Sequence, residues 1–298
     1  MISFVNSKIN IGLQIVSRRK DGYHNLQTIF YPIGKHSGTP ENPLAFCDIL
    51  EITESIAYSF EMSGRDVNCD SRQNLVCRAV HEYFSRDVAA GFLPHVSLHK
   101  NLPFGAGIGG GSADAAFTLS MLAQLEREYC ERIGVNSHAP NEEELRRMAL
   151  KLGADVPFFI YNEPAYAEGI GERLEPMALD LSDKWLVLVK PDIYISTKDA
   201  FAGVTPRFAE FDLRELCSLP LTEWKYVAKN DFEDSIFPRF PEMKRVKNRL
   251  YEAGAEYASL TGSGSCLYGI FSDRCTAVHA VGQFSKIPTI LHSYLLKM

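Results

Sequence analysis

Apolar and polar residues alternate along this chain at two periods, and the changes of period mark its elements. Alternation at period two, with β-branched residues, predicts strands over 9–17, 26–33, 49–53 and 57–62. Asp21-Gly22 between the first two predicts a hairpin connection. Over 74–89, Leu75, Val76, Ala79, Val80, Tyr83, Phe84 and Val88 recur at helical spacing, the stripe of an amphipathic helix. A strand is expected over 95–100. Beyond residue 112, Ala115, Leu119, Leu122 and Leu125 line one side of another helix, whose first turn is nearly all small residues. The stretch 142–152 reads as a helix with Gly153 just past its end. Val156-Pro157-Phe158-Phe159-Ile160, apolar and interrupted by proline, reads as a turn into a strand. Further on, the pattern predicts a buried strand over 185–190, a helix over 241–253, strands over 256–260 and 266–271, then a short helix and a last strand over 289–296. Strands and helices grouped in this way, with neighbouring strands joined by tight turns, predict an α+β fold. A boundary between two lobes falls within 161–168, dividing the chain into 1–163 and 164–298, and the polar stretch 36–42 reads as a loop.

Between the strand and the helix lies Pro103-Phe104-Gly105-Ala106-Gly107-Ile108-Gly109-Gly110-Gly111-Ser112-Ala113. Glycine reaches φ > 0 and has no Cβ, so such a loop lets backbone N–H groups close around an anion. A helix start behind it adds unpaired N–H groups and the positive end of a dipole, and Ser112 is a residue suited to capping that helix. A lone short glycine run is usually a turn with no ligand. Five glycines running into a helix shift the reading to a phosphate-bearing ligand. Gly105, Gly107 and Gly110 also spell the dinucleotide fingerprint of an oxidoreductase. That motif requires a strand leading straight into its first glycine and an acid ending a second strand about 20 residues on. Here residues 101–104 intervene, and Glu126 and Glu128 sit inside a helical pattern. No lysine follows the glycines, which excludes the common NTPase loop.

Composition bounds the remaining choices. The 298 residues, 46% hydrophobic and 23% charged, are enough for a full core without staples. No apolar run approaches the ~20 residues of a membrane span, and the first residues lack the order of a signal peptide. Seven cysteines without close pairs suggest neither a disulfide framework nor a zinc site. A net charge of −6 argues against broad nucleic-acid binding. A cytoplasmic enzyme of small molecules, with no nucleic-acid or membrane partner, is the expectation; the sequence allows a monomer or a homodimer.

Three further segments need one explanation together with the glycine loop: Lys8-Ile9-Asn10 followed by Asp21-Gly22-Tyr23-His24, then Leu152-Gly153-Ala154-Asp155-Val156-Pro157-Phe158-Phe159, then Thr261-Gly262-Ser263-Gly264. Together they resemble the GHMP kinase superfamily of galacto-, homoserine, mevalonate and phosphomevalonate kinases. The resemblance covers nearly the whole chain and is weakest over 205–240. It implies an N-terminal lobe like ribosomal protein S5 domain 2, a ferredoxin-like C-terminal lobe, and an active site in the cleft between them. The implied reaction is ATP-dependent phosphoryl transfer to a sugar-alcohol hydroxyl on a cytidine diphosphate conjugate. Kinases of the same superfamily acting on mevalonate, homoserine or a sugar are the nearer alternative, and the dinucleotide oxidoreductase is the remote one.

By that resemblance Asp155 orients the acceptor hydroxyl and takes up its proton, with Lys8 as its partner in the chemistry. The loop from Pro103 through Ala113, with Asn74, Lys100 and the turn Gly262-Ser263-Gly264, serves the nucleotide. Tyr23 and Phe201 are the aromatics of a cytosine clamp, His24 its hydrogen-bonding member, and Asn10 and Thr197 face the erythritol or diphosphate. Read alone, Asp155 is a loop cap and Lys8 a solvated strand end, and the motif context reverses those readings; for Phe201 the alternative is a core position on a short helix. Many members carry two serines after the glycines, whereas here Ala113 follows Ser112. Mg²⁺ is expected with ATP, but the sequence assigns it no protein ligand.

Overall fold

The computed structural model describes residues 1–35, 46–66, 71–86, 88, 91 and 93–298, so the loop expected over 36–42 lies outside the described residues. In chain order the elements are β1 (Ile2–Val5), β2 (Ser7–Arg18), β3 (His24–Ile33), β4 (Asp48–Ser55), β5 (Ser59–Gly64), α1 (Leu75–Phe84), β6 (Leu93–Lys100), α2 (Gly110–Ile133), α3 (Glu142–Leu152) and α4 (Val156–Tyr161). They continue as β7 (Ala165–Gly169), β8 (Arg173–Pro176), β9 (Trp185–Pro191), α5 (Thr197–Ala202), α6 (Trp224–Val227), α7 (Phe232–Arg239), α8 (Pro241–Glu252), β10 (Tyr257–Leu260), β11 (Leu267–Phe271), α9 (Arg274–Phe284) and β12 (Ile290–Lys297). Contacts divide the chain into two compact units, one of 1–7, 47–104 and 109–162, the other of 8–46, 105–108 and 163–298.

The first unit is a sheet ordered β1-β4-β6-β5, with β5 parallel to β6 and the other pairs antiparallel. Leu50, Ile52, Val96 and Leu98 point to its buried face, where α2 packs on β4 and β1. The small residues expected early in α2 permit that approach: Ala113, Ala115 and Ala116 are fully buried. β1 carries exposed Ile2 and Phe4 and was invisible to the alternation pattern because it has only four residues.

One expectation is overturned here. Residues 156–160 form the helix α4, not a turn into a strand. Pro157 falls in the first helical turn, where its missing N–H costs nothing. The helix ends at Asn162, which adopts φ 56° and donates its N–H to the Phe158 carbonyl. Asn162 also exchanges two side-chain amide bonds with Asn6, at 3.0 and 2.7 Å. Gly153 does follow α3, but with extended backbone rather than a left-handed cap.

The second unit holds two antiparallel sheets, β2-β3-β7-β8 and β10-β11-β9-β12. In the latter, the strands occur in the chain as β9, β10, β11, β12, with α8 before β10 and α9 before β12; this is the ferredoxin-like arrangement. Val187, Val189, Leu260, Leu267 and Phe271 meet Val246, Leu250, Ala277, Ala280 and Phe284 in its core. The Asp21-Gly22 hairpin forms as expected, with Arg19 N–H bonded to the Tyr23 carbonyl and Gly22 at φ 90°. β2 departs from its pattern in a telling way. Ile9, Ile11, Leu13 and Ile15 are buried as alternation requires, but the polar positions between them, Lys8, Asn10 and Gln14, are buried too.

The helix leading to Asp155 starts with a reciprocal cap: Asn141 accepts from Glu144 N–H at 3.0 Å and Glu144 accepts from Asn141 N–H at 2.9 Å. Asn141→Ala is expected to lower the unfolding free energy by about 1 kcal/mol. Urea titration would show this as a lower midpoint at unchanged slope, and an unchanged midpoint would show that the cap contributes nothing.

Candidate active site

The glycine loop takes its shape from alternating left-handed residues: Gly105, Gly107 and Gly109 lie at φ 61°, 75° and 72°. Gly109 is the N-cap of α2 and supplies no side chain, so no side chain caps the N–H groups of the first turn. Ser112, expected as that cap, instead sits in the first turn of the helix. The cause is backbone geometry: only a residue at ease with positive φ makes the turn at 109. A 24-residue helix thus presents its uncapped positive end beside Gly110, Gly111 and Ser112. Glu126, one of the two acids weighed against the dinucleotide motif, is buried inside α2 and accepts from the Tyr83 hydroxyl at 2.7 Å.

In the second unit, loop residues 105–108 rest on the second glycine turn. The Ala106 carbonyl accepts from Cys266 N–H at 3.1 Å, and the Gly107 carbonyl accepts from the Thr261 hydroxyl at 3.1 Å. A Cβ at Gly107 would collide with the Thr261 carbonyl oxygen, so the residue must be glycine on sterics as well as on φ. Gly262 and Gly264 are left-handed at 54° and 87°. Ser263 Oγ lies 3.4 Å from Thr197 Oγ1, which brings two of the predicted site residues together. Thr261 also accepts from Asn10 N–H at 3.1 Å.

The buried polar face of β2 joins this group. Lys8, 3% exposed, donates through Nζ to Asn10 Oδ1 at 2.6 Å, and its backbone N–H donates to the Ile108 carbonyl at 3.0 Å. The Asn10 amide donates in turn to Thr28 Oγ1. At the hairpin end, Tyr23 is 61% exposed. His24 stacks on Phe201 with centroids 4.9 Å apart and planes 14° apart, and Phe201 meets Phe232 edge-on. The ring stacked on Phe201 is therefore His24, where the sequence suggested hydrogen bonding for His24 and stacking for Tyr23. Burial, and then the charge of Arg18, lower the His24 pKa, leaving a neutral imidazole at pH 7.

The remaining predicted residues lie in the first unit. Asp155 is half-buried at the head of α4 and its side chain makes no cap bond, which removes the loop-cap reading. Asn74 caps α1, accepting from Val76 N–H at 2.9 Å, and a Cβ at Gly111 would lie 3.7 Å from neighbouring Leu75. Pro103 is buried. Two contributors escaped the sequence: Asp48, and Asn230, whose amide donates to the Leu260 and Gly262 carbonyls at 2.9 Å each. Neither carries a local motif, since both act by holding backbone.

The comparisons with known proteins agree with this geometry. The model of the GHMP kinases N-terminal domain matches residues 74–163, and that of the GHMP kinases C-terminal domain matches 213–286. A 4-diphosphocytidyl-2-C-methyl-D-erythritol kinase from Parabacteroides distasonis is 45% identical over 273 residues, covering 91% of this chain and 92% of the relative. The chain belongs to the GHMP kinase family. An enzyme of the same name from Bacteroides fragilis is 42% identical over 281 residues, at 91% and 92% coverage. A crystal structure of 4-(cytidine 5'-diphospho)-2C-methyl-D-erythritol kinase superposes over the full length of both chains with a TM-score of 0.78 and 29% identity. A homoserine kinase from Cytophaga hutchinsonii, at 0.69 and 14%, shares the fold, covering 100% of this chain and 96% of its own.

In this GHMP kinase Lys100 is committed to structure. Only 5% exposed, it pairs with both Asp48 and Asp114, the latter at 2.6 Å. Asp48 Oδ1 accepts from the N–H groups of Asn101 and Leu102, at 2.6 and 2.8 Å, so the cluster sets the chain's path toward the glycine loop. Asp114 Oδ1 is buried with no hydrogen-bond partner. Burial lowers the Lys100 pKa, but Asp114 and Asp48 outweigh it and leave the ammonium raised. For Asp114, burial pushes the carboxyl up to about 7, with Lys100 opposing and Asp48 adding to the rise. A carboxyl raised on folding stabilises fully below its unfolded value near 4, and that contribution is lost as pH rises toward 7. The stability of wild type relative to Asp114→Asn is therefore expected to fall between pH 4 and 7, by at most about 1.4 kcal/mol per unit. Parallel urea titrations at four pH values test this, and a difference independent of pH would refute it.

Proposed function

We propose that this kinase transfers the γ-phosphoryl group of ATP to the 2-hydroxyl of 4-diphosphocytidyl-2-C-methyl-D-erythritol, a step of non-mevalonate isoprenoid precursor synthesis, in the cytoplasm. The observation that carries the reading is the similarity to relatives of that name, at more than 90% coverage, in a chain that carries Lys8, Asp155 and Tyr23-His24. The glycine loop adds the chemistry. Its left-handed backbone and the uncapped start of α2 suit a triphosphate, which N–H groups hold without any lysine after the glycines.

In the proposed reaction the acceptor oxygen bonds to the γ-phosphorus while the bond from that phosphorus to the β,γ-bridging oxygen breaks, releasing ADP. Phosphoryl transfer depends mostly on positioning and charge stabilisation. Asp155 aims the hydroxyl and takes its proton late, because a carboxylate is a weak base toward an alcohol. The Lys8 ammonium, oriented by Asn10, stabilises charge developing on the transferring group. Tyr23, His24 and Phe201 recognise the cytosine, Tyr23 offering an exposed ring face. Asn10 and Thr197 face the remainder of the substrate.

The residues present fit a cation carried chiefly by phosphate oxygens. Among the described residues no three His, Cys, Asp or Glu side chains converge, and Ser112 offers the hydroxyl of the α2 first turn. Bound Mg²⁺ would neutralise charge on the β- and γ-phosphoryl oxygens.

An ADP-release assay with ATP–Mg²⁺ is expected to respond to the cytidylyl compound and not to mevalonate, homoserine or galactose. Turnover of one of those acceptors would discard the clamp while keeping the kinase. Asp155→Asn should lower kcat by at least ~10² with the ATP KM little changed; an unimpaired variant would remove Asp155 from the mechanism.

A further inference from the structure

Resting on that reading, we infer that the four residues Asn230-Asp231-Phe232-Glu233 are a positioning segment that sets the phosphate-side turn and the base-side stack from one anchored point. Every one of the segment's side chains is committed. Asn230 is 1% exposed and uses its whole amide. Both N–H bonds go to carbonyls that frame the second glycine turn, Leu260 and Gly262, and its Oδ1 accepts from Phe232 N–H at 3.0 Å. Glu233 takes the N–H of the same Leu260 at 2.9 Å and is paired with Lys247 at 2.5 Å. The end of β10 is thus held from both its donor and its acceptor.

Asp231 fixes the segment itself. Its Oδ2 accepts from Ile15 N–H at 2.7 Å, its backbone N–H donates to the Leu13 carbonyl at 2.8 Å, and Leu13 N–H donates to the Lys229 carbonyl at 2.8 Å. These bonds tie it to β2, the strand that carries Lys8 and Asn10. Phe232, 2% exposed, then meets Phe201 in a T-shaped contact, centroids 4.9 Å apart and planes at 81°, and Phe201 stacks with His24. One anchored segment therefore has two outputs. The Asn230 side chain orients the turn that bears Gly262, Ser263 and Gly264, and the Phe232 ring orients the Phe201–His24 pair.

Two outputs predict a split that a purely structural segment would not give. Equilibrium binding of a non-hydrolysable ATP analogue with Mg²⁺, and of CDP, is measured for wild type, Asn230→Ala and Phe232→Leu. Asn230→Ala is expected to weaken the ATP analogue about tenfold and to leave CDP within about twofold. Phe232→Leu is expected to do the reverse, since it keeps apolar volume but loses the T-shaped aromatic contact. Circular dichroism establishes that each variant is folded; where one is not, Asn230→Ser or Phe232→Met takes its place. Equal weakening of both ligands, or of neither, overturns the inference. Where wild type binds both ligands and the variants show no such split, this segment alone is refuted, whereas wild type that binds neither refutes the kinase reading and the inference with it.

Discussion

The contact of Gly107 with Thr261 is a constraint on which much of the second unit depends. Backbone meets backbone there with no room for a Cβ on Gly107, and Gly262 is in the same position with respect to the Gly107 carbonyl, 2.8 Å from an added Cβ. Two glycine-rich turns more than 150 residues apart are mutually templated. Thr261 closes the arrangement, accepting from Asn10 N–H and donating to the Gly107 carbonyl. Such backbone contacts are stiff, because neither partner has a rotamer to yield. That stiffness is what an anion site made of N–H groups needs, since its dipoles stabilise charge only when they are already aimed.

The same economy explains β2. A strand of alternating polar and apolar residues is ordinarily half solvated. Here Lys8, Asn10 and Gln14 are buried alongside the fully buried isoleucines of the same strand. Burying an ammonium is costly unless it is satisfied. Lys8 meets Asn10 Oδ1 and lies 4.8 Å from the Phe30 ring centre. Asn10 is itself fixed by Thr28 and by Tyr268, whose hydroxyl donates to its carbonyl at 2.7 Å. A charge kept in so exacting an environment is pre-organised, with little conformational freedom left to lose.

Much of this was legible in the residues, and the exceptions share a cause. Long periodic stretches such as Leu75–Phe84 and Glu142–Leu152 declared themselves, because a helix burying one face must repeat at its own period. The glycine loop declared itself because few backbones require so many residues without Cβ. Val156–Tyr161 misled because a short apolar run has no period to read, and a proline is as welcome in a first helical turn as in a loop. Ser112 misled because it has the right chemistry for a cap, while the cap position required Gly109's backbone. Asp48 and Asn230 were silent for a deeper reason. Each works by holding backbone groups brought near by the fold, and one-dimensional spacing does not encode those partners.

The role of Lys100 illustrates how far residue type can stand from function. A lysine preceding a phosphate loop invites the reading that its ammonium meets phosphate. Its two carboxylate partners more than cancel that charge: with both ionised, one ammonium and two carboxylates leave the cluster net negative. This excess lies close to Gly110, whose added Cβ would be 3.8 Å from Asp48 Oδ2. A buried negative charge there opposes an incoming anion in a medium where screening is weak, and a proton on Asp114 removes the opposition. What remains for an anion at the start of α2 is its uncapped N–H groups, which carry partial charges with no side-chain entropy to lose. On this account Lys100 earns its place by seating Asp48, whose other oxygen grips Asn101 and Leu102 and so fixes where the loop begins.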